Sequence, residues 1–274
     1  MDSIFYHYTD FQALDGILRS AQLRVNNVLR MNDSAEMRHF MGRLSSAIQR
    51  RLEEGGDRGR AKAVAALFRE EMEKEYSAYA ACFSFRREDA AQWERYGNRG
   101  RGVCIAFRGP LLRRIAAGPL SLHRVFYADD MTGHHMVERF CQLARSREEL
   151  TGEDPEVGRA MRDAWACSVA FKHPSFSSEN EVRLVVAPFE DEEFAIKPCY
   201  HVSKERVKKY YPLPLRDMCQ RVGASLEDLV AEIIIGPEST QSPAILRDYL
   251  RDNALPSLAE RVSLSDCPLR GMPV

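Results

Sequence analysis

The chain has 274 residues, of which 45% are hydrophobic and 29% charged, and its formal net charge is −1 at pH 7. This is ordinary globular composition with enough length for a sizeable core, and the near-zero charge excludes recognition of nucleic acid or anionic membranes by overall charge. No apolar run approaches the roughly 20 residues of a membrane-spanning helix, so no membrane partner is predicted.

Hydrophobic periodicity and capping residues predict the elements of the first third of the chain. A strand comes first, and a short amphipathic helix that Asp10 caps follows it. The predicted elements are a strand over 4–8, a helix over 11–19, a short strand over 23–25, a capped turn at 31–34, and helices over 36–49 and 60–78. The two long helices make residues 34–79 a helical insertion between strands.

Strands return in the middle of the chain and mix irregularly with helices. The predicted strands cover 80–85, 102–107, 123–127, 181–187 and 233–235, and the predicted helices are a short one opened by Asp89 and longer ones over 134–146, 156–171 and 243–253. This order lacks the strict alternation of a doubly wound sheet, so it predicts an α+β fold with a mainly antiparallel sheet. We expect one elaborated domain over 1–274, in which 188–274 is a C-terminal extension.

Cysteine usage and the absence of several motifs narrow the chemistry. The seven cysteines are widely spaced and include no Cys-x-x-Cys pair, which is typical of reduced thiols in a cytoplasmic protein. The N-terminal residues lack the features of a signal peptide. His134 and His135 have no partners at metal-ligand spacing, so no metal is predicted. Phosphate-binding glycine motifs and the Gly-x-Ser-x-Gly elbow are also absent.

The first strand ends in the polar trio His7, Tyr8 and Thr9, and functional side chains concentrate at strand ends and the loops after them. Because alternate side chains of a strand share a face, His7 and Thr9 point the same way. Either residue can donate a hydrogen bond to a ribose hydroxyl. The simpler interpretation is a strand histidine whose ring is satisfied by a neighbouring backbone group.

Glu179 and Glu181 enter an apolar run at one-residue spacing, and on a strand they face one side together. A glutamate beside an anomeric carbon can stabilise the positive charge that develops as a leaving group departs. A second carboxylate nearby can accept a proton from the incoming nucleophile. The simpler interpretation is a solvated edge on which Glu181 pairs with Arg183 or Lys172.

Trp93 and Tyr96 are three residues apart and share one face of the predicted short helix. They form either core packing or an aromatic wall for a flat ring such as nicotinamide or a base. Basic clusters lie at 99–101 and 204–209, and we interpret both as solvated faces.

The order of five segments resembles an uncharacterised bacterial family, domain-of-unknown-function family 2971. The segments are Tyr6–Thr9 with Leu14, Ile17 and Leu18; Met31–Asp33 with Glu36; Cys82–Ser84 with Trp93 and Tyr96; Gly102–Phe107; and Phe171–Lys172 through Glu179–Leu184, with a weaker late match at Ile233–Pro237. Val182 departs from the family pattern, which often has tryptophan there. The family name implies no activity.

The opening of the chain, a His-Tyr-Thr strand followed by a helix, is similar to that of ADP-ribosyltransferases, including those that modify DNA. This resemblance implies a split β-sheet core, NAD as substrate, and a protein or nucleic acid as acceptor of ADP-ribose. It implies that His7 contacts the NAD ribose, Tyr96 stacks on nicotinamide, and Glu181 supports the oxocarbenium-like transition state. The NAD-binding residues implied around them are Tyr8, Thr9, Ser84, Trp93, Glu179 and Arg183. Such enzymes serve as toxins, effectors or phage-defence proteins.

Two other functions stay open at this point. One is a non-catalytic module that binds a nucleotide or nucleic-acid end in the same cleft, with Arg99 and Arg101 contacting phosphate. The other is an NAD glycohydrolase, which uses water as the acceptor. Transfer of ADP-ribose and hydrolysis of NAD both require His7 and Glu181 to line one cleft. We expect their side chains within roughly 10 Å of each other.

Overall fold

The structure is a computed structural model that describes residues 3–28, 36–74, 78–117, 120–128, 130–186, 196–202 and 206–269. These residues form a mixed α/β protein with a mostly antiparallel, open sheet, which confirms the predicted architecture at that level. The turn predicted at 31–34 lies outside the described residues.

The predicted capping residues begin their helices as expected. The side chains of Asp10 and Asp89 accept hydrogen bonds from the backbone N–H groups of Ala13 and Gln92. The strands are β1 Ile4–Thr9, β2 Gln22–Asn27, β3 Tyr79–Ser84, β4 Val103–Arg108, β5 Leu120–Arg124, β6 Phe126–Tyr127, β7 Phe171–Lys172, β8 Glu181–Val186, β9 Cys199–Val202, β10 Val207–Pro214, β11 Val230–Ile235 and β12 Val262–Leu264. The helices are α1 Phe11–Ser20, α2 Glu36–Glu54, α3 Arg58–Glu73, α4 Ala90–Arg95, α5 Gly109–Ile115, α6 His135–Ser146, α7 Pro155–Val169, α8 Leu215–Arg221, α9 Leu226–Leu229, α10 Pro243–Asp252 and α11 Pro256–Ala259, with a 3₁₀ helix at Pro174–Glu179.

The main sheet splits at β3, because two strands share one of its edges. Along its other edge, β3 pairs with β8 over its whole length, from Tyr79 opposite Val186 to Ser84 opposite Glu181. The remaining edge of β3 pairs with β1 near Ser84 and with β2 near Tyr79. A strand has only two edges for backbone pairing. Strands β1 and β2 therefore diverge, and residues 81–83 of β3 face the gap between them.

The strand order extends from both sides of this gap. On the β1 side the order is β1, β4, β11 and β12, and on the β2 side it is β2, β10 and β9. The segment from 188 onward, expected as a C-terminal extension, thus supplies strands to both ends of the sheet. Ile233, Ile234 and Ile235 are fully buried in β11, which pairs with β4, so this part of the chain belongs to the main core.

A second hydrophobic core lies among the helices of the predicted insertion. Helices α2 and α3 pack against α6 and α7, and their apolar faces bury Phe40, Leu44, Phe68 and Phe140. The prediction of one continuous strand over 123–127 is wrong, because the chain forms two strands there that are separated by the buried Val125. Residues before this point form β5 in the main sheet, whereas β6 pairs with β7 in a separate two-stranded parallel sheet.

Candidate functional site

A cavity of about 670 Å³ lies at the split in the sheet. Its volume falls within the range of small-molecule and cofactor pockets. Strands β1, β2 and β3 contribute to its lining together with the 3₁₀ helix, β8 and the start of β10. The lining residues are Tyr6, His7, Tyr8, Arg24, Asn26, Asn27, Tyr79–Ser84, Gln92, Tyr96, Lys172, Glu179, Glu181, Arg183 and Arg206–Lys209.

His7, on β1, reaches into the gap between β1 and β2. Its Nδ1 atom lies 2.9 Å from the carbonyl oxygen of Cys82, one of the β3 residues that face the gap. Two acceptors cannot bond to each other, so Nδ1 carries the proton. Burial lowers the pKa of His7 below its ordinary value of 6.5, against an opposite effect of this hydrogen bond. A neutral ring leaves Nε2 as an acceptor, which corrects the expectation that His7 donates to a ribose hydroxyl.

The neutral state of His7 predicts a pH dependence of stability. Below about pH 6.5 the His7 side chain binds more protons in the unfolded chain than in the folded protein, so its contribution to the free energy of unfolding is lost as the pH falls from that value through the folded pKa. The loss is at most about 1.4 kcal/mol per pH unit for one proton. Denaturant unfolding of the wild type and of His7→Asn between pH 7.5 and 5 measures it. The advantage of the wild type over His7→Asn should shrink with acid, and a constant difference would contradict a neutral ring at His7.

Glu179 and Glu181 converge, but through a turn and not through strand alternation. Glu179 ends the 3₁₀ helix and Glu181 begins β8. Asn180 between them has a φ of 42°, a left-handed conformation that asparagine tolerates better than most residues. The turn brings both carboxylates to the Lys172 ammonium, whose Nζ lies 2.5 Å from Glu179 Oε2 and 3.5 Å from Glu181 Oε2.

Glu181 is buried and held by two cations. The guanidinium of Arg183 donates to both of its carboxylate oxygens, with Nε 3.0 Å from Oε1 and Nη2 3.1 Å from Oε2. Burial alone raises the pKa of Glu181, but Arg183 and Lys172 outweigh it and hold that pKa below its ordinary value. The simpler interpretation from the sequence was therefore right about the partners of Glu181 and wrong about a solvated edge, since Glu181 is only 6% exposed.

The Glu179 carboxylate has partners on α4 and the residue that follows it. Arg95 donates to Glu179 Oε1 over 2.9 Å, and the Tyr96 hydroxyl lies 3.3 Å from the same oxygen. The hydroxyl of Ser84 donates to the backbone carbonyl of Glu179 over 2.8 Å. Tyr96 and Ser84, two of the predicted site residues, thus hold the turn that carries the carboxylates.

Cys82 links the two halves of the site. Its carbonyl oxygen accepts the hydrogen bond from His7, and its thiol lies close enough to Glu181 for the carboxylate charge to act on the thiol pKa. Burial, and secondarily the charge of Glu181, raise the pKa of this thiol well above its ordinary value, so it is not a thiolate at neutral pH. His7 and Glu181 consequently both border one residue and one cavity.

Two predicted site residues, Trp93 and Thr9, do not line the cavity, and a third, Tyr8, lines it but uses its hydroxyl to hold the backbone. Trp93 is fully buried and packs edge-on against Tyr8 at a ring separation of 4.9 Å. The Tyr8 hydroxyl donates to the backbone carbonyls of Arg86 and Arg87, so its phenol positions a loop. Thr9 does not line the cavity, because β1 pairs with β4 there, away from the gap. Trp93 and Thr9 are therefore corrected from ligand contacts to framework positions.

Sequence reasoning missed a group of basic residues on the β2 and β10 side of the cavity. We call this group the basic wall and define it as Arg24, Arg206, Lys208 and Lys209. All four line the cavity, from β2 and from β10 with the residue before it. From the sequence, the basic cluster at 204–209 is interpreted as a solvated face. Its place beside the cavity depends on the pairing of β10 with β2, which joins residues almost 190 positions apart and leaves no local signal in the cluster itself. The signal was present in the alternation of Arg24 and Asn26 on β2, whose common face lies toward the cavity.

Tyr6 is a second missed residue. It lies opposite Ser84, which in turn lies opposite Glu181, so the three side chains form one row across β1, β3 and β8. Burial, with lesser contributions from neighbouring charges, raises the pKa of Tyr6, so its hydroxyl stays protonated and can donate to a ligand. Tyr127 supports the same row, because its hydroxyl accepts from the backbone N–H of Glu181 over 2.9 Å.

Within the described ranges, no three or more histidine, cysteine, aspartate and glutamate residues cluster closely enough to hold a metal ion. Among those same residues, no helix has the length and apolar character needed to cross a membrane. All seven cysteines are free thiols.

One family model matches the segment that carries the carboxylates of the site. No curated protein and no solved structure is significantly similar to the chain. The matched segment, 92–184, contains Tyr96, Lys172, Glu179, Glu181 and Arg183, whereas β1 and the basic wall lie outside it. The family model that matches these residues is described as a protein of unknown function (DUF2971), which confirms over this segment the family resemblance that the sequence motifs predicted.

Proposed function

We propose that this protein is an ADP-ribosyltransferase-like enzyme that cleaves the nicotinamide–ribose bond of NAD and transfers ADP-ribose to an acceptor. The observation that carries the proposal is the charge distribution of the cavity. Two carboxylates with their partners Lys172 and Arg183, a neutral histidine and two tyrosine hydroxyls line the side of β1, β3 and β8, and the four further cations of the basic wall line the side of β2 and β10. A dinucleotide has the matching form, with a cationic ring and a sugar at one end and a pyrophosphate in the middle.

The carboxylate end suits the bond that breaks. As nicotinamide departs, positive charge develops on the ribose, and a carboxylate fixed nearby stabilises it. In the proposed arrangement Arg183 and Lys172 keep Glu181 ionised and fix its orientation, and Nε2 of His7 accepts a hydrogen bond from a ribose hydroxyl. The Tyr96 ring stacks on nicotinamide, and Glu179 orients the acceptor nucleophile.

The basic wall suits the phosphates. Arginine and lysine side chains bind phosphate oxygens through charge-assisted hydrogen bonds. Lys209 lies over the Tyr211 ring at 5.7 Å, and Arg24 lies 4.8 Å over the Tyr210 ring, so tyrosine faces support two of the four cations. We assign the pyrophosphate of NAD to this wall.

A second candidate function is a non-catalytic module that binds a nucleotide or a nucleic-acid end. The observation that favours it is the state of Glu181, whose two oxygens already bond to Arg183 and Lys172. A carboxylate neutralised by two cations offers less charge to a transition state. On this alternative, Lys172 and Arg183 join the basic wall in holding phosphates.

Incubation of the purified protein with NAD separates these functions. Release of nicotinamide that requires an acceptor supports the transferase, and release into water alone identifies an NAD glycohydrolase. Binding of NAD in the cavity without turnover identifies the module. Absence of both binding and cleavage at millimolar NAD would contradict the proposal in all its forms.

Trp93 and Tyr96 give a sharper prediction, because Tyr96 lines the cavity whereas Trp93 is fully buried. Tyr96→Ala should weaken NAD binding by about 1–3 kcal/mol, the effect of losing one stacked ring, whereas Tyr96→Phe keeps the ring face and most of the affinity. Trp93→Ala should instead lower the free energy of unfolding by about 3–5 kcal/mol, as for other large buried aromatics. Melting temperature and NAD affinity are measured on the same preparations. Unchanged NAD affinity in Tyr96→Ala would contradict the proposal that the Tyr96 ring stacks on nicotinamide.

A further inference from the structure

The outer end of the sheet is an edge ribbon formed by β9 and β10, and it carries exposed apolar side chains beside the cavity. Tyr200, Val202 and Val207 are 62%, 72% and 63% exposed. Across the ribbon Val202 lies opposite Val207, and Tyr200 lies opposite Lys209. Apolar exposure concentrated on one element marks an interaction site more often than scattered exposure does.

Basic side chains are interleaved with these residues. Lys208 and Lys209 lie within β10, Arg206 directly precedes it, and Lys197 stands exposed two residues before β9. Neither strand contains a carboxylate. The acidic residues at 190–193 and Glu205 lie outside the described residues. The described surface of the ribbon therefore has positive charge around an exposed aromatic ring.

We propose that this ribbon binds single-stranded nucleic acid. An unpaired base can stack on the Tyr200 ring whatever its identity, while lysine and arginine side chains contact the phosphates on either side. A duplex hides its base faces and cannot stack in this way, so the ribbon prefers single strands. Residues 206–209 belong both to the ribbon and to the cavity lining. A strand held on the ribbon thus presents a nucleotide to the cavity as the acceptor, a role that rests on the proposed function.

Fluorescence anisotropy with a labelled thymidine oligonucleotide and a labelled uridine oligonucleotide, without NAD, tests the binding itself. The wild type should bind both and should bind a duplex of equal length more weakly. Tyr200→Ala should weaken binding roughly fivefold or more, as expected for one stacked base. Lys197→Gln should reduce the slope of log affinity against log salt by about 0.7, the value for one phosphate contact with a single strand.

Two variants serve as matched controls. Phe126→Ala removes another exposed aromatic ring, which is 55% exposed on β6, and Lys62→Gln removes an exposed charge on α3. Both should bind the oligonucleotides like the wild type. Equal losses in Tyr200→Ala and Phe126→Ala, or displacement of the oligonucleotide by polyglutamate at the same charge concentration, would overturn the inference in favour of unspecific attraction. Equal affinity for the duplex would do so as well.

Nicotinamide release, measured both without oligonucleotide and with saturating oligonucleotide, distinguishes failure of this inference from failure of the proposed function. Tyr200 and Lys197 do not line the cavity, so at saturating oligonucleotide their variants should cleave NAD at the wild-type rate. Oligonucleotide binding without NAD cleavage in either condition would support the ribbon as a binding surface and contradict the proposed enzyme activity. NAD cleavage without oligonucleotide binding overturns the ribbon alone.

Discussion

Replacing Glu181 with glutamine should lower NAD cleavage about a hundredfold or more, because a carboxylate aimed at a developing oxocarbenium charge contributes about 3 kcal/mol to lowering the barrier. The same change should also destabilise the protein. It leaves the buried guanidinium of Arg183 without its bidentate partner, and breaking a buried pair from one side costs about 3–5 kcal/mol. The two effects are separated by measuring the rate per folded molecule at a temperature where both proteins are folded.

Glu179→Gln is the matched control for this prediction. Glu179 is as deeply buried as Glu181 and shares Lys172 with it, so its loss should destabilise the fold to a comparable extent. In the proposed arrangement Glu179 serves the acceptor, so its replacement should reduce transfer more than it reduces cleavage into water. Wild-type cleavage per folded molecule in Glu181→Gln would show that the Glu181 charge has no catalytic role.

Lys172→Met should lower the free energy of unfolding by about 3–5 kcal/mol at neutral pH, because it removes the one ammonium that lies between two buried carboxylates. In the wild type the pKa of Glu181 is depressed, so its contribution to stability is present above its ordinary value of 4.5 and is lost as the pH falls through the folded pKa. In the variant a buried carboxylate with less compensation binds a proton more readily, so acid should relieve the defect.

Urea unfolding of the wild type and Lys172→Met between pH 7 and 4 measures this effect. The difference between them should be largest at pH 7 and should shrink toward pH 4. Lys62→Met, which removes an exposed lysine from α3, should stay within about 0.5 kcal/mol of the wild type at every pH. A Lys172→Met defect that does not change with pH would mean that packing of the lysine stem, and not its charge, stabilises the cluster.

Local patterns predicted most of the elements because the interactions that define them are local. Asp10 and Asp89 cap helices with their own side chains, and the mainly apolar runs of β3 and β8 follow from burial of both strands in the sheet. The meeting of Glu179 and Glu181 was also foreseen, although the left-handed turn at Asn180 that produces it was not. Asparagine at such a position is permitted but not diagnostic.

The parts of the site that escaped prediction depend on pairing between distant segments. The split in the sheet exists because β1 and β2 share one edge of β3, and no local pattern reveals which strands share an edge. The basic wall forms for the same reason, since β10 reaches the cavity by pairing with β2. Helical spacing left Trp93 open between core packing and an aromatic wall, because spacing alone does not say which face of a short helix is covered.

The most direct test of the central claim is a crystal structure of Glu181→Gln soaked with NAD, since this variant should bind the dinucleotide without cleaving it. We expect the nicotinamide ring against Tyr96, a ribose hydroxyl within hydrogen-bond distance of His7 Nε2, and the pyrophosphate against Arg24, Arg206 and Lys208. NAD bound anywhere outside the cavity between β1 and β2, or a cavity that stays empty at saturating NAD, would contradict the account.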